Sequence, residues 1–130
     1  DTEDRFTEGG FDMKFINSAN YVKVLHNDGT IAQYAHLKPQ GVVVRRGQSV
    51  TSGQILGYSG NTGYSDGPHL HFEVYKPTLR LKKETIPTKF RTSFSDAEEL
   101  VEGYLYWRRE QGVPPQTEIV DREGIRICTA

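Results

Sequence analysis

Cysteine is almost absent from this chain. Cys128 stands alone, which excludes an internal disulfide and a multi-cysteine zinc site. An excess of charge of either sign is also missing. Sixteen Lys and Arg face seventeen Asp and Glu over 130 residues, a formal net charge of −1. A dedicated nucleic-acid binder usually carries a strongly basic field, so no nucleic-acid partner is expected. No apolar run approaches the ~18 residues of a membrane span, and none is expected. The opening Asp1-Thr2-Glu3-Asp4-Arg5 lacks the charged-then-apolar pattern of a secretory leader. Such a start implies a cytosolic chain, one already processed, or one cut from something longer. What the sequence has in excess is glycine. There are thirteen, ten of them before residue 68, and that clustering predicts tight turns between short strands.

Residues 11–76 read as short alternating segments separated by turn residues, the pattern of a β-domain. Segments 21–26 and 30–37 flank Asn27-Asp28-Gly29, and Asp-Gly supplies the positive φ angles of a hairpin turn. Segments 41–45 and 54–58 read as further strands. Residues 69–76 are the clearest strand, closed by Pro77, which cannot continue a ladder. A basic connector follows over 78–94, with Arg80, Lys82, Lys83, Lys89 and Arg91 against Glu84; such residues usually protect a solvated edge. Residues 95–111 are expected to form a helix. Ser95 and Glu98 have capping-box spacing, and Ala97, Leu100, Val101, Tyr104 and Leu105 make one apolar face. The expectation is therefore a mainly β, antiparallel fold with one C-terminal α-helix. Its divisions are a β-domain over 1–77, a connector over 78–94 and an extension over 95–130.

The histidines carry the chemistry. His69 and His71 are two apart on a strand, so both rings share a face, while Leu70, Phe72 and Val74 take the other. That assigns the core to the Leu-Phe-Val side and a solvated groove to the histidines. Two imidazoles on one face can bind a metal, or divide metal binding and proton transfer; a polar outer face that happens to carry histidine is the plain alternative. His36, in Tyr34-Ala35-His36-Leu37, shares a face with Ala32 and Tyr34. It joins the groove if the hairpin packs beside the histidine strand. His26 reads as a surface turn residue. The loop 57–68, rich in glycine and small polar residues, is permissive enough to wall a binding groove.

Asn61-Thr62-Gly63 followed by Gly67-Pro68-His69-Leu70-His71-Phe72-Glu73-Val74 resembles the signature of the lysostaphin/LytM-type zinc metallopeptidases. Asn20-Tyr21-Val22-Lys23-Val24, Asp28-Gly29-Thr30 and Tyr34-Ala35-His36-Leu37 resemble that family's central hairpin, in the right order. The resemblance covers residues 10–77. It implies the duplicated-hybrid-motif β-fold and hydrolysis of peptide cross-links in bacterial peptidoglycan, hence a periplasmic, envelope or secreted location. It further implies that His71 ligates a single zinc ion, while His36 and His69 assist catalysis.

One motif of the family has no counterpart. A histidine followed by an aspartate, which supplies two further zinc ligands, is expected before the hairpin, yet no histidine precedes His26. Catalytic zinc normally takes three protein ligands and a water. The peptidase domain therefore reads as incomplete at its N-terminus, with association of a missing upstream segment as one expected partnership. Zinc binding is expected only when those upstream ligands are present. A degenerate, non-catalytic domain kept as a binding or regulatory module is the alternative, and a histidine phosphocarrier a third reading.

Overall fold

The computed structural model describes residues 1–79, 82–101 and 106, together with the backbone of 127–129. The described residues divide into a compact unit over Asp1–Ile86 with Cys128–Ala130, and a second over Pro87–Ile127.

The first unit is built on an antiparallel sheet. β1 (Thr2–Glu3), β3 (Asn20–Leu25), β4 (Ile31–Val42), β7 (Leu70–Pro77) and β8 (Lys83–Thr85) lie in that order. β5 (Gly57–Ser59) pairs with β4, and β9 (Ile127–Thr129) with β7. The expected hairpin forms, with Leu25 opposite Ile31. Its turn is closed by local chemistry. Gly29 adopts φ +83°, and the Asp28 carboxylate accepts from the Thr30 N–H (2.9 Å) and hydroxyl (2.7 Å). β4 continues to Val42, so the segment expected as a separate strand over 41–45 is partly the end of one twelve-residue strand. β8 lies inside the stretch read as connector and pairs with β7, Pro77 opposite Lys83.

A second, two-stranded sheet ties the glycine-rich loop to the N-terminal segment. β2 (Gly9–Gly10) runs parallel to β6 (Gly63–Tyr64). Only glycine fits at position 9, because a Cβ there would stand 1.8 Å from the Asn61 carbonyl oxygen. Gly63 sits at φ +84°, which side chains with a Cβ rarely adopt.

Val22, Leu37 and Val44 form the buried centre, with Val24, Val42, Val50, Leu56 and Leu70 against them. Phe72 is buried and meets its register partner Tyr34 at 5.0 Å between ring centroids. The Leu-Phe-Val side of β7 thus faces apolar neighbours as alternation requires. The other side is not purely solvated, since Tyr75 and Ala35 are buried there as well.

In the second unit the expected helix over 95–111 is corrected. Residues 95–101 are not helical; residues 102–105 and 107–111 lie outside the described set. The reason lies upstream, in Thr92. A capping box needs the Glu98 carboxylate on the Ser95 N–H, and the Ser95 hydroxyl on the Glu98 N–H. Here the Ser95 N–H donates to Thr92 Oγ1 (3.3 Å), and the Thr92 hydroxyl donates to Glu98 Oε1. The Glu98 N–H donates instead to the Phe90 carbonyl (3.0 Å), and Phe90 returns the bond (2.8 Å). Each partner the box requires is already engaged. No helix among the described residues is long and apolar enough to cross a membrane.

Candidate active site

β7 and the loop before it present His69 and His71. His69 precedes the strand and bridges to Gly60, while His71 stands opposite Ala35 of β4. Strict alternation along β4 would put His36 with Ala32 and Tyr34, beside Phe72 and away from His71. It does not end there. Tyr21 pairs with Ala35 but Asn20 pairs with Leu37, so His36 is an extra residue in the strand, a β-bulge. Its backbone sits at φ +60°, an uncommon conformation for a residue with a Cβ. The bulge turns the ring over to the other side. His36 then meets His69 at 4.7 Å and His71 at 5.8 Å between ring centroids. All three expected histidines are thus brought together, the third by a bulge rather than by alternation. His26 lies exposed in the hairpin turn, its Nδ1 2.9 Å from the Thr30 hydroxyl. A cavity of about 580 Å³ beside β3, lined in part by Val22, Val24 and Val50, includes none of the three clustered imidazoles.

The hydrogen bonds assign the ring protons. His36 Nδ1 lies 2.7 Å from the Thr62 carbonyl, and His69 Nδ1 lies 2.7 Å from the Gly67 carbonyl. A carbonyl oxygen only accepts, so both Nδ1 atoms carry hydrogen and both neutral rings keep their lone pair on Nε2. The Ser65 hydroxyl, 3.2 Å from His69 Nδ1, donates to the same Gly67 carbonyl. Burial lowers the His36 pKa below the ordinary imidazole value. The Thr62 carbonyl works against that, and neighbouring His69 and His71 add to the lowering. His36 is therefore a neutral acceptor at neutral pH.

His71 is held differently. Its Nε2 faces Glu73 Oε1 at 3.7 Å, too long for a hydrogen bond. Glu73 is nearly buried, with 11% of its side chain exposed, and the Lys83 ammonium from β8 donates to it at 2.8 Å. Lys83 also reaches Gln33 Oε1 (3.2 Å) and lies over the Tyr75 ring. Thr62, Ser65, Glu73 and Lys83 were not singled out by the sequence reading. The signal for the first three was their membership in, or closeness to, the quoted motif. Lys83 gave none, since its reach depends on the β7–β8 pairing.

Among the described residues, no three His, Cys, Asp or Glu side chains converge as a set able to hold a metal ion. The three imidazoles meet ring against ring. Two of the upstream acids serve the backbone: Asp4 Oδ2 accepts from the Val42 N–H (3.2 Å) and Asp12 Oδ1 from the Lys14 N–H (3.0 Å). The described residues by themselves do not fit the expected zinc ion.

Two imidazoles with free Nε2 atoms and a third beside them, held by carbonyls of the glycine-rich loop, form a centre equipped for acid–base chemistry. The sequence fits that class. Residues 11–86 match Peptidase family M23, and the chain belongs to this family. It is 49% identical over 55 residues to lysostaphin of Staphylococcus simulans, covering 42% of this chain and 11% of that one. Over 57 residues it is 44% identical to peptidoglycan DD-endopeptidase ShyA of Vibrio cholerae, covering 44% of this chain and 13% of the relative. A metalloprotease of Buchnera aphidicola is 47% identical over 74 residues, or 57% and 19% of the two chains. The chain thus spans less than a fifth of the length of these relatives.

Proposed function

We propose that this chain carries the proton-handling part of a zinc-dependent endopeptidase acting on the peptide cross-links of bacterial peptidoglycan. The observation that carries the reading is the pair of imidazoles, His36 and His69, packed ring against ring, each fixed at Nδ1 by a backbone carbonyl and so left with its lone pair on Nε2. One such Nε2 accepts a proton from water as the water oxygen attacks the scissile carbonyl carbon. The imidazolium then returns that proton to the departing amine as the C–N bond breaks. In between, the Nε2–H of that imidazolium stabilises the oxyanion. His71 is the metal ligand of this chain, and a His/Asp pair upstream in a parent chain would complete the set. By itself the chain offers too few ligands, so negligible turnover is expected even with added zinc. Action on peptidoglycan places the parent in the periplasm, the envelope or outside the cell.

The test is hydrolysis of cross-linked peptidoglycan by a parent that contains the upstream pair. New amino termini without new reducing sugar ends are expected. A loss of about 10²–10⁴ in kcat is expected in His69→Ala. Full activity in that variant overturns the assignment of His69. Absence of any cleavage by the parent favours the alternative, a non-catalytic binding or regulatory domain; the lack of a converged metal set among the described residues is what keeps that alternative in view.

A further inference from the structure

We propose that Thr62 is the positioning residue of this site: its hydroxyl holds the bulge that turns His36 toward His69 and His71, and its carbonyl fixes the tautomer of that ring. The inference rests on the reading of His36 as a proton acceptor and extends it to a residue that never touches substrate.

Thr62 is 1% exposed, although it lies in a loop between two short strands. Its hydroxyl is the acceptor for the Asn20 backbone N–H (3.0 Å) and the donor to the Leu37 backbone carbonyl (2.7 Å). Asn20 and Leu37 are register partners, and they are the first pair beyond the extra residue His36. One hydroxyl therefore bridges β3 and β4 at the point where the bulge disturbs their pairing. A bulge leaves its extra residue outside the ladder, and backbone groups near it need other partners. The Thr62 side chain supplies two of them.

The same residue closes the loop over the ring. Its carbonyl accepts from His36 Nδ1 at 2.7 Å, and two residues earlier the Gly60 N–H donates to the His36 carbonyl at 2.8 Å. The strained φ of +60° at His36 is thus held from three directions. The Asn20 side chain secures the far end by exchanging bonds with Phe6, Oδ1 accepting at 2.9 Å and Nδ2 donating at 2.8 Å. A valine at position 62 keeps the shape but supplies neither hydroxyl bond. The bulge then relaxes, the carbonyl drifts from Nδ1, and the ring returns to the Nε2–H tautomer that imidazole side chains prefer in water. That tautomer has no lone pair on Nε2, the nitrogen left unbonded by Thr62.

The experiment is ring-nitrogen NMR on the labelled chain at about pH 8.5, roughly two units above the ordinary imidazole pKa, where the rings are neutral. No metal or substrate is added. In the wild-type chain His36 is expected to show about a tenfold excess of the Nδ1–H form. Thr62→Ser, which retains the hydroxyl, should keep that excess, and Thr62→Val should reverse it. An Nε2–H majority in the wild-type chain, its appearance in Thr62→Ser, or persistence of Nδ1–H in a folded Thr62→Val overturns the proposal. Should Thr62→Val fail to fold, the wild-type and serine spectra still decide. The tautomer is read without turnover, so failure of the peptidase reading leaves this result standing and is recognised separately.

Discussion

At the scale of single residues, His36 holds most of the chemistry that geometry adds to sequence. Its position two residues from Tyr34 suggested a shared face, and a regular strand would have obeyed. The bulge between Tyr21–Ala35 and Asn20–Leu37 reverses it. Nothing local in Tyr-Ala-His-Leu announces such a bulge, because what stabilises it, Thr62, lies 26 residues away. By contrast, the shared orientation of His69 and His71 was legible, since it needs only strand alternation. Burial of His36 has a consequence for stability. Its folded pKa lies below the unfolded one, so in acid the unfolded chain takes the proton first. The stabilising contribution of the neutral ring is complete above the ordinary imidazole pKa of about 6.5 and is lost as pH falls below it toward the folded value. The denaturation midpoint should therefore drop between about pH 7.5 and pH 5 by more in the wild-type chain than in His36→Asn, a residue that tolerates the same backbone. Equal drops would show that His36 does not carry this dependence.

At the scale of elements, β8 connects a strand outside the quoted motif to the site. Lys83 from that strand reaches Glu73, which in turn faces His71. The two partners differ in exposure, 46% for the lysine side chain and 11% for the carboxylate. Removing the lysine leaves a nearly buried carboxylate facing His71 and the more distant charge of Lys23, whereas removing the carboxylate leaves a lysine that water already reaches. Lys83→Met is therefore expected to cost about 1–2 kcal/mol, and Glu73→Gln less. Urea unfolding of both variants checks this order; a larger cost for Glu73→Gln would contradict it. The element misread from sequence fails for a related reason. Ser95 and Glu98 have the spacing of a capping box, but Thr92 and Phe90 claim the groups that the box would use. Spacing shows which bonds are available, not which competitor takes them.

At the scale of the whole molecule, the mainly antiparallel β-fold and the family were both legible. The Asp-Gly turn and the Gly-Pro-His-Leu-His-Phe-Glu string are local signals that survive folding; Pro77, expected to stop the ladder, is instead its last residue, opposite Lys83. What was not legible depends on contacts between distant segments: Gly9 against Asn61, Thr62 between Asn20 and Leu37, Lys83 on Glu73. In the folded sheet the three histidines are gathered, and two of them hold assigned tautomers. The proposed division of labour, with His71 holding metal and His36 moving protons, is tested most directly by measuring zinc content and turnover together in a parent chain that supplies the upstream His/Asp pair. His71→Ala should lose both zinc and peptidase activity. His36→Ala should retain one zinc per chain while kcat falls by about 10²–10⁴. Zinc retained in His71→Ala, or turnover retained in His36→Ala, would contradict the account.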